Sequence, residues 1–167
     1  MAIKYGESRN IALSIVYYIE ECLVSSGINE ELATDDQYNV VKGYKNAYNE
    51  KIPVISVRNG IKIPTFGEIG SVTTQKNNLI YIDLFARDEA GKSDMRDWLM
   101  SILVLGCDYF QHSAETGGEI EKFVDGKVII TNMEESSIKL NIDKSQLDIH
   151  DRYRVLITLD ATTGKVS

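Results

Sequence analysis

The chain has 167 residues, 43% of them hydrophobic and 26% charged, with a formal net charge of −7. That length suits one domain able to bury about 70% of the surface of its unfolded chain, and the composition excludes a disordered polymer. The acidic balance argues against nonspecific binding to a phosphate backbone, which needs clustered Lys and Arg; the nearest such pair, Arg152 and Arg154, is offset by Asp148, Asp151 and Asp160.

The first predicted element is a helix from about Ser8 to Ser26. Ser8 or Asn10 can cap it and Gly27 can end it, while Ile11, Ile15, Ile19, Cys22 and Leu23 form a helical stripe with Tyr17 and Tyr18 on its flanks. From Ile28 to Lys51 the period fails. Tyr38, Tyr44 and Tyr48 stand there among polar residues, in a strand and loop or a segment ordered by a partner. IPVISVRNGIKIP then places two short apolar arms around Asn59-Gly60, the preferred dipeptide of a two-residue hairpin turn. Pro53 and Pro64 bracket the arms and limit how far either extends as a central strand. TFGEIGSVTTQKNN reads as an extended segment or long loop.

The clearest pattern follows. Ile80, Ile82, Leu84 and Ala86 share one strand face, and Leu79, Tyr81, Asp83 and Phe85 share the other. Gly91 permits a turn and Ser93 caps a helix whose stripe is Met95, Trp98, Leu99, Ile102 and Leu103, closed by Gly106. CDYFQHSAETGGEIEKF reads as polar, with a break at Gly117-Gly118. Two strands come next, Val128 to Met133 and Tyr153 to Ala161, with SIKLNIDKSQLDIHD adding at most one short strand between them. In the second, Tyr153, Val155, Ile157 and Leu159 point inward, and Arg152, Arg154, Thr158 and Asp160 outward. The order predicts a single α+β domain over residues 1–167, a mostly antiparallel sheet packed against two main helices, with 162–167 a frayed tail.

Chemistry is sparse. Neither phosphate-loop pattern occurs, nor HExxH, GxSxG or a Cys cluster at zinc spacing. Cys22 and Cys107 read as two reduced thiols, His112 as a solvated loop residue, and His150 as part of an acidic turn, Asp148-Ile149-His150-Asp151. Asp143, Asp148 and Asp151 do not match calcium-loop spacing. The expectation is a protein that is not an enzyme, with no cofactor and no metal. The longest uncharged apolar run, SIVYYI, is short of the roughly 20 residues that span a bilayer, and MAIKYGESRN lacks the features of a signal peptide. A soluble, cytosolically made protein without a membrane partner is expected. The large residues on the second face of the Leu79 strand call either for a covering helix or for a subunit interface. The interface candidates are Tyr81 and Phe85 on that face, Arg152 and Arg154 on the last strand, and Tyr38, Tyr44 and Tyr48 in the aperiodic segment.

In its order of elements the chain resembles the tail terminator and tail-completion (neck) proteins of long-tailed bacteriophages. The resemblance runs through IALSIVYYIEECL, IPVISVR, LIYIDLFARDEAGKSDMRDWLMSIL and RYRVLITLDA, from about residue 8 to 161. It implies a small structural virion subunit, made in the host cytoplasm, that closes with its own copies into a hexameric ring. Such a ring caps the tail tube, contacts the tail tube protein and a head-completion or connector protein, and lets DNA pass without sequence-specific binding. Two other readings stand beside it: another head–tail connector or neck component, and a small cytosolic enzyme or ligand-binding domain.

Overall fold

Alternation of apolar residues builds one sheet. The computed structural model describes residues 3–66, 74–114, 120–137 and 147–164. The strands are β1 (Ile3–Lys4), β2 (Asn39–Lys42), β3 (Val54–Phe66), β4 (Thr74–Phe85), β5 (Cys107–Ala114), β6 (Ile120–Ser137) and β7 (Arg154–Gly164). The helices are α1 (Glu7–Ser26), α2 (Ile28–Glu31), α3 (Tyr44–Ala47) and α4 (Glu89–Leu103), with a 3-10 turn at Thr34–Asp36. The strands lie side by side in the order β1-β5-β6-β7-β4-β3-β2. The class is α+β, and the sheet is mixed: β2 runs parallel to β3, while the remaining described pairs are antiparallel. The parallel edge departs from the expected antiparallel plan, because Asn39–Lys42 returns through α3 to lie beside the first residues of β3 in the same direction.

One face of the sheet carries the main core. Ile55 and Val57 of β3, Ile80, Ile82 and Leu84 of β4, and Val155, Ile157 and Leu159 of β7 are buried against Ile11, Ile15, Ile19 and Leu23 of α1 and Met95, Leu99 and Leu103 of α4. Trp98 and Ile102, expected inside, are only half-buried and pack on the rim of this cluster. Burial of apolar area at about 25 cal/mol per Å² makes this layer the chief source of stability.

The helix ends differ from expectation in instructive ways. Gly6, not Ser8 or Asn10, stands at the start of α1, and no side chain caps it. Ser8 instead donates to Asn78 Oδ1 at 2.7 Å, and Asn10 is buried. Gly27 does end α1 in the left-handed region, at φ 70°, where a side chain would be strained. Asp88 rather than Ser93 caps α4, accepting from the Gly91 N–H at 2.7 Å, so Gly91 lies inside the helix and makes no turn.

The Asn59-Gly60 hairpin does not form. The two-residue turn favoured by that dipeptide needs positive φ at both central residues, and neither has it. β3 runs straight through, paired with β4 and shifted in register between Asn59 and Lys62. Gly60 is there for space: a Cβ on it would stand 2.5 Å from Tyr81 Cε2, because that ring lies over the glycine. Replacing Gly60 with Ala is expected to destabilise by about 1–3 kcal/mol through overpacking. Denaturant melts would check it, and an unchanged midpoint would mean the ring is free to move aside. Pro64 is accommodated within β3 beyond the stretch that β2 covers, Val54–Val57, where no other described strand pairs with the outer edge of β3.

The remaining differences concern length. CDYFQHSA forms β5 instead of a polar loop, and β6 extends well beyond Val128–Met133 on both sides. Thr162–Gly164 pair with Lys127–Ile129 and so belong to the sheet; 165–167 lie outside the described residues, as do Gly117-Gly118 and most of the segment assigned a short strand, 138–146. The aperiodic tyrosine segment contains β2 and α3.

Candidate assembly face

α1 and α4 cover one face of the sheet. Among the described residues, the opposite face carries α3 and the turn before β7. Cross-strand register sets what this face presents: Val54, Phe85 and Arg154 form one row, Ser56, Asp83 and Leu156 the next, and Arg58, Tyr81 and Thr158 a third. At one end, Ala47 of α3 seals Val54 and Phe85 into a second small core, with Tyr48, Val41 and Ile52 packed around it.

Asp83 sits at the centre of the face, 0% exposed. A carboxylate tolerates such burial only when it is paired and hydrogen-bonded, and two guanidinium groups converge on it. Arg154 reaches Oδ1 through Nη2 at 2.6 Å and Nε at 3.2 Å; Arg58 donates from Nε to Oδ2 at 2.8 Å. Each arginine also covers an aromatic ring, Arg58 over Tyr81 at 4.6 Å and Arg154 over Phe85 at 5.3 Å. Carboxylate, cations and rings thereby hold one another in fixed positions.

A second knot secures the end of the face. Tyr48 donates from its hydroxyl to Asp151 Oδ1 at 2.7 Å, and Asp151 lies 3.5 Å from Arg154 Nη1. The His150 ring packs between Tyr48 (5.1 Å) and Phe85 (6.0 Å), with Nε2 2.9 Å from the Glu50 carbonyl and Nδ1 3.0 Å from Asp148 Oδ1. These contacts clamp the 148–153 turn to the segment after α3. His150 acts as a tie between two loops. Hydrogen bonds from its backbone and ring hold the Asp148 carboxyl below the ordinary carboxylate range.

Four of the expected interface residues meet on this face: Tyr48, Tyr81, Phe85 and Arg154. Phe85 is fully buried inside the subunit and is corrected to core. Tyr48 packs on it from the rim, and Tyr81 is half-buried over Gly60. Arg152 lies in the turn ahead of β7 and donates to the Leu147 carbonyl at 3.3 Å, so it is not a strand residue. Tyr38 is on the helix side, its backbone bracketed by the Asn29 carboxamide (2.8 and 3.0 Å) and its ring packed on the main core. Tyr44 opens α3; its side chain lies outside the described residues. Sequence reasoning missed Arg58 and read Asp83 only as an outward polar residue. The signal was available in IYIDLFA, where one carboxylate interrupts an apolar run.

His112 departs furthest from expectation. Assigned to a solvated loop, it is 2% exposed on β5. Its backbone N–H donates to Asn10 Oδ1 at 3.2 Å, and its ring Nδ1 lies 3.0 Å from the same oxygen. An acceptor at that position requires Nδ1 to carry the proton. Tyr5 (6.0 Å) and Tyr17 (5.7 Å) flank the ring, and Nε2 has no hydrogen-bond partner among the described residues. One turn along α1 from Asn10, Ser14 Oγ accepts from the Phe110 N–H at 2.9 Å, so buried polar groups weld α1 to β5.

Burial, reinforced by Lys122, Lys42 and Arg9, holds the His112 pKa below its usual value. Between that lowered pKa and about 6.5 the unfolded chain binds a proton that the folded one refuses, so stability rises with pH across this window. Denaturant midpoints are therefore expected to fall as pH drops below about 6.5 and to level off beneath the folded-state pKa. A His112→Gln variant should lose that part of the slope; an unchanged slope would assign it elsewhere.

Cys107 is buried, and desolvation with the nearby Asp108 raises its thiol pKa to about 12. It is kept as an inert apolar side chain. No group of three or more His, Cys, Asp or Glu capable of holding a metal occurs among the described residues, and no described helix is long and apolar enough to cross a membrane. No protein-family model matches the chain, and no curated protein matches it.

Proposed function

We propose that the chain is a structural virion protein, a tail terminator or tail-completion subunit that closes with its own copies into a ring on the tail tube and joins it to the head. The supporting observation is the sheet face opposite the long helices, where Arg58 and Tyr81 are fixed by buried Asp83 and Gly60. Aromatic residues and arginine are enriched at protein interfaces, and a guanidinium already held in place loses little side-chain entropy on association. A rigid heterologous patch that closes by rotation gives a ring. In this reading the sheet is mainly antiparallel, the two long helices brace it from behind, and the acidic subunit lets DNA pass without holding its phosphates. The tail tube protein meets one end of the ring, and a head-completion or connector protein the other. The ring is hexameric, as the resemblance implies.

Thr158 sits beside Tyr81 on this face and is half-buried, which makes it the place to test. A Thr158→Arg subunit should keep its far-ultraviolet spectrum yet fail to form rings in electron micrographs and fail to halt tail-tube growth. Rings and capping at wild-type levels would exclude this face.

A further inference from the structure

β2 is an edge strand, and its outer side is only partly blocked. Asn39 donates to the Pro53 carbonyl at 3.4 Å and Gly43 to the Val57 carbonyl at 2.8 Å. The alternation of a parallel ladder therefore turns the N–H and C=O of Val40 and Lys42 outward. Asn46 Nδ2 covers the Lys42 carbonyl at 2.7 Å; along this edge β2 has no strand partner among the described residues. A cavity of about 360 Å³ follows the same edge, between the end of α1 and the segment after α3. Leu23, Val24, Val40 and Val41 supply apolar wall, with Val24 75% exposed, and Glu20 and Glu50 are also among the residues that line it.

Two requirements on an occupant follow. Open backbone groups beside an apolar trough take an extended segment by strand addition, main-chain bonds giving affinity and side-chain pockets selectivity. Two acidic residues in the lining, Glu20 and Glu50, favour a cation. Burial already raises the Glu20 pKa against the opposing pull of Lys122, whose ammonium lies over Tyr17 and Phe110. An arriving cation would favour the charged form of Glu20.

We propose that this trough is a docking site for an extended segment of a partner protein, alternating apolar and basic residues, which adds as a strand beside β2. Val40 receives its main-chain bonds, and Glu20 and Glu50 receive its Lys or Arg. The site is separate from the Arg58–Tyr81 face, and the inference stands without the ring.

The test uses a short synthetic peptide alternating valine and lysine. It is compared with the same peptide carrying glutamate for lysine, and with the lysine peptide N-methylated on alternate amides. Amide exchange and chemical shifts of the full chain are followed by nuclear magnetic resonance. The lysine peptide is expected to shift β2 resonances and slow exchange at Val40 about tenfold or more, as for an amide taken out of water into a strand ladder. Glu20→Gln with Glu50→Gln, both at exposed positions, should weaken binding about tenfold, on the order of two exposed ion pairs. The glutamate and N-methylated peptides should not bind. Equal binding of the N-methylated peptide would overturn strand addition. Equal binding of the glutamate peptide, or no change in the double variant, would overturn the basic occupant. No binding by the lysine peptide would overturn the site.

Discussion

Replacing Asp83 with Ala is expected to destabilise the fold by about 3–5 kcal/mol, because it strands buried positive charge. The Arg154 side chain is only 11% exposed and makes two contacts to Asp83 Oδ1. Without the carboxylate, its guanidinium must stay buried with reduced compensation or leave Phe85 and disturb the small core under α3. Arg58, 31% exposed, can turn to water and contributes less. Asp83→Asn keeps acceptor and shape while removing the charge, and should fall between wild type and Asp83→Ala. Urea denaturation of Asp83→Ala, Arg154→Ala and the double variant forms the check. The double variant should be little worse than Asp83→Ala alone, since the stranded cation is gone. Strict additivity would show that the two side chains do not stabilise one another.

Leu99→Ala should cost about 2–5 kcal/mol, as expected for a fully buried leucine whose removal leaves a cavity between α4 and the sheet. Ile102, one turn along and half-buried at the rim, should lose clearly less on truncation, since water reaches the space vacated. The pair makes a sharper test than either variant alone. Equal losses at the two positions would mean that α4 sits on the sheet in a different rotation.

Both expectations show what a periodic sequence makes legible. Ile80, Ile82, Leu84, Val155 and Ile157 declare their face through alternation, and Leu99 through helical spacing; all lie in the main core. The errors arise where tertiary contacts override local preference. Asn59-Gly60 has turn chemistry, yet Tyr81 of the neighbouring strand needs the glycine's empty side, and that requirement is invisible in a single segment. β5 went unread because its buried positions include His112, whose burial rests on Asn10 from a distant helix. The same holds for the assembly face. Tyr81 and Arg154 were legible as large residues on outward positions; their coupling through Asp83 was not, since Arg58 and Arg154 come from two strands that do not touch. Phe85 shows the opposite failure, an outward position in the strand pattern that α3 turns into core.

The position of β7 bears on how the molecule reaches this state. It is made after β4 and β6 yet stands between them, pairing with both along most of its length. Until it is synthesised, each of those long strands has an open edge, the arrangement most prone to pairing with another chain. The β3–β4 and β5–β6 hairpins can form early from local contacts, but in the sheet they are joined edge to edge through β7. Joining them requires closing a loop of some seventy residues between Phe85 and Arg154, and such long-range closure sets a slow pace for β-rich folding. The subunit thus completes its sheet in one late event, when β7 enters between ribbons already made.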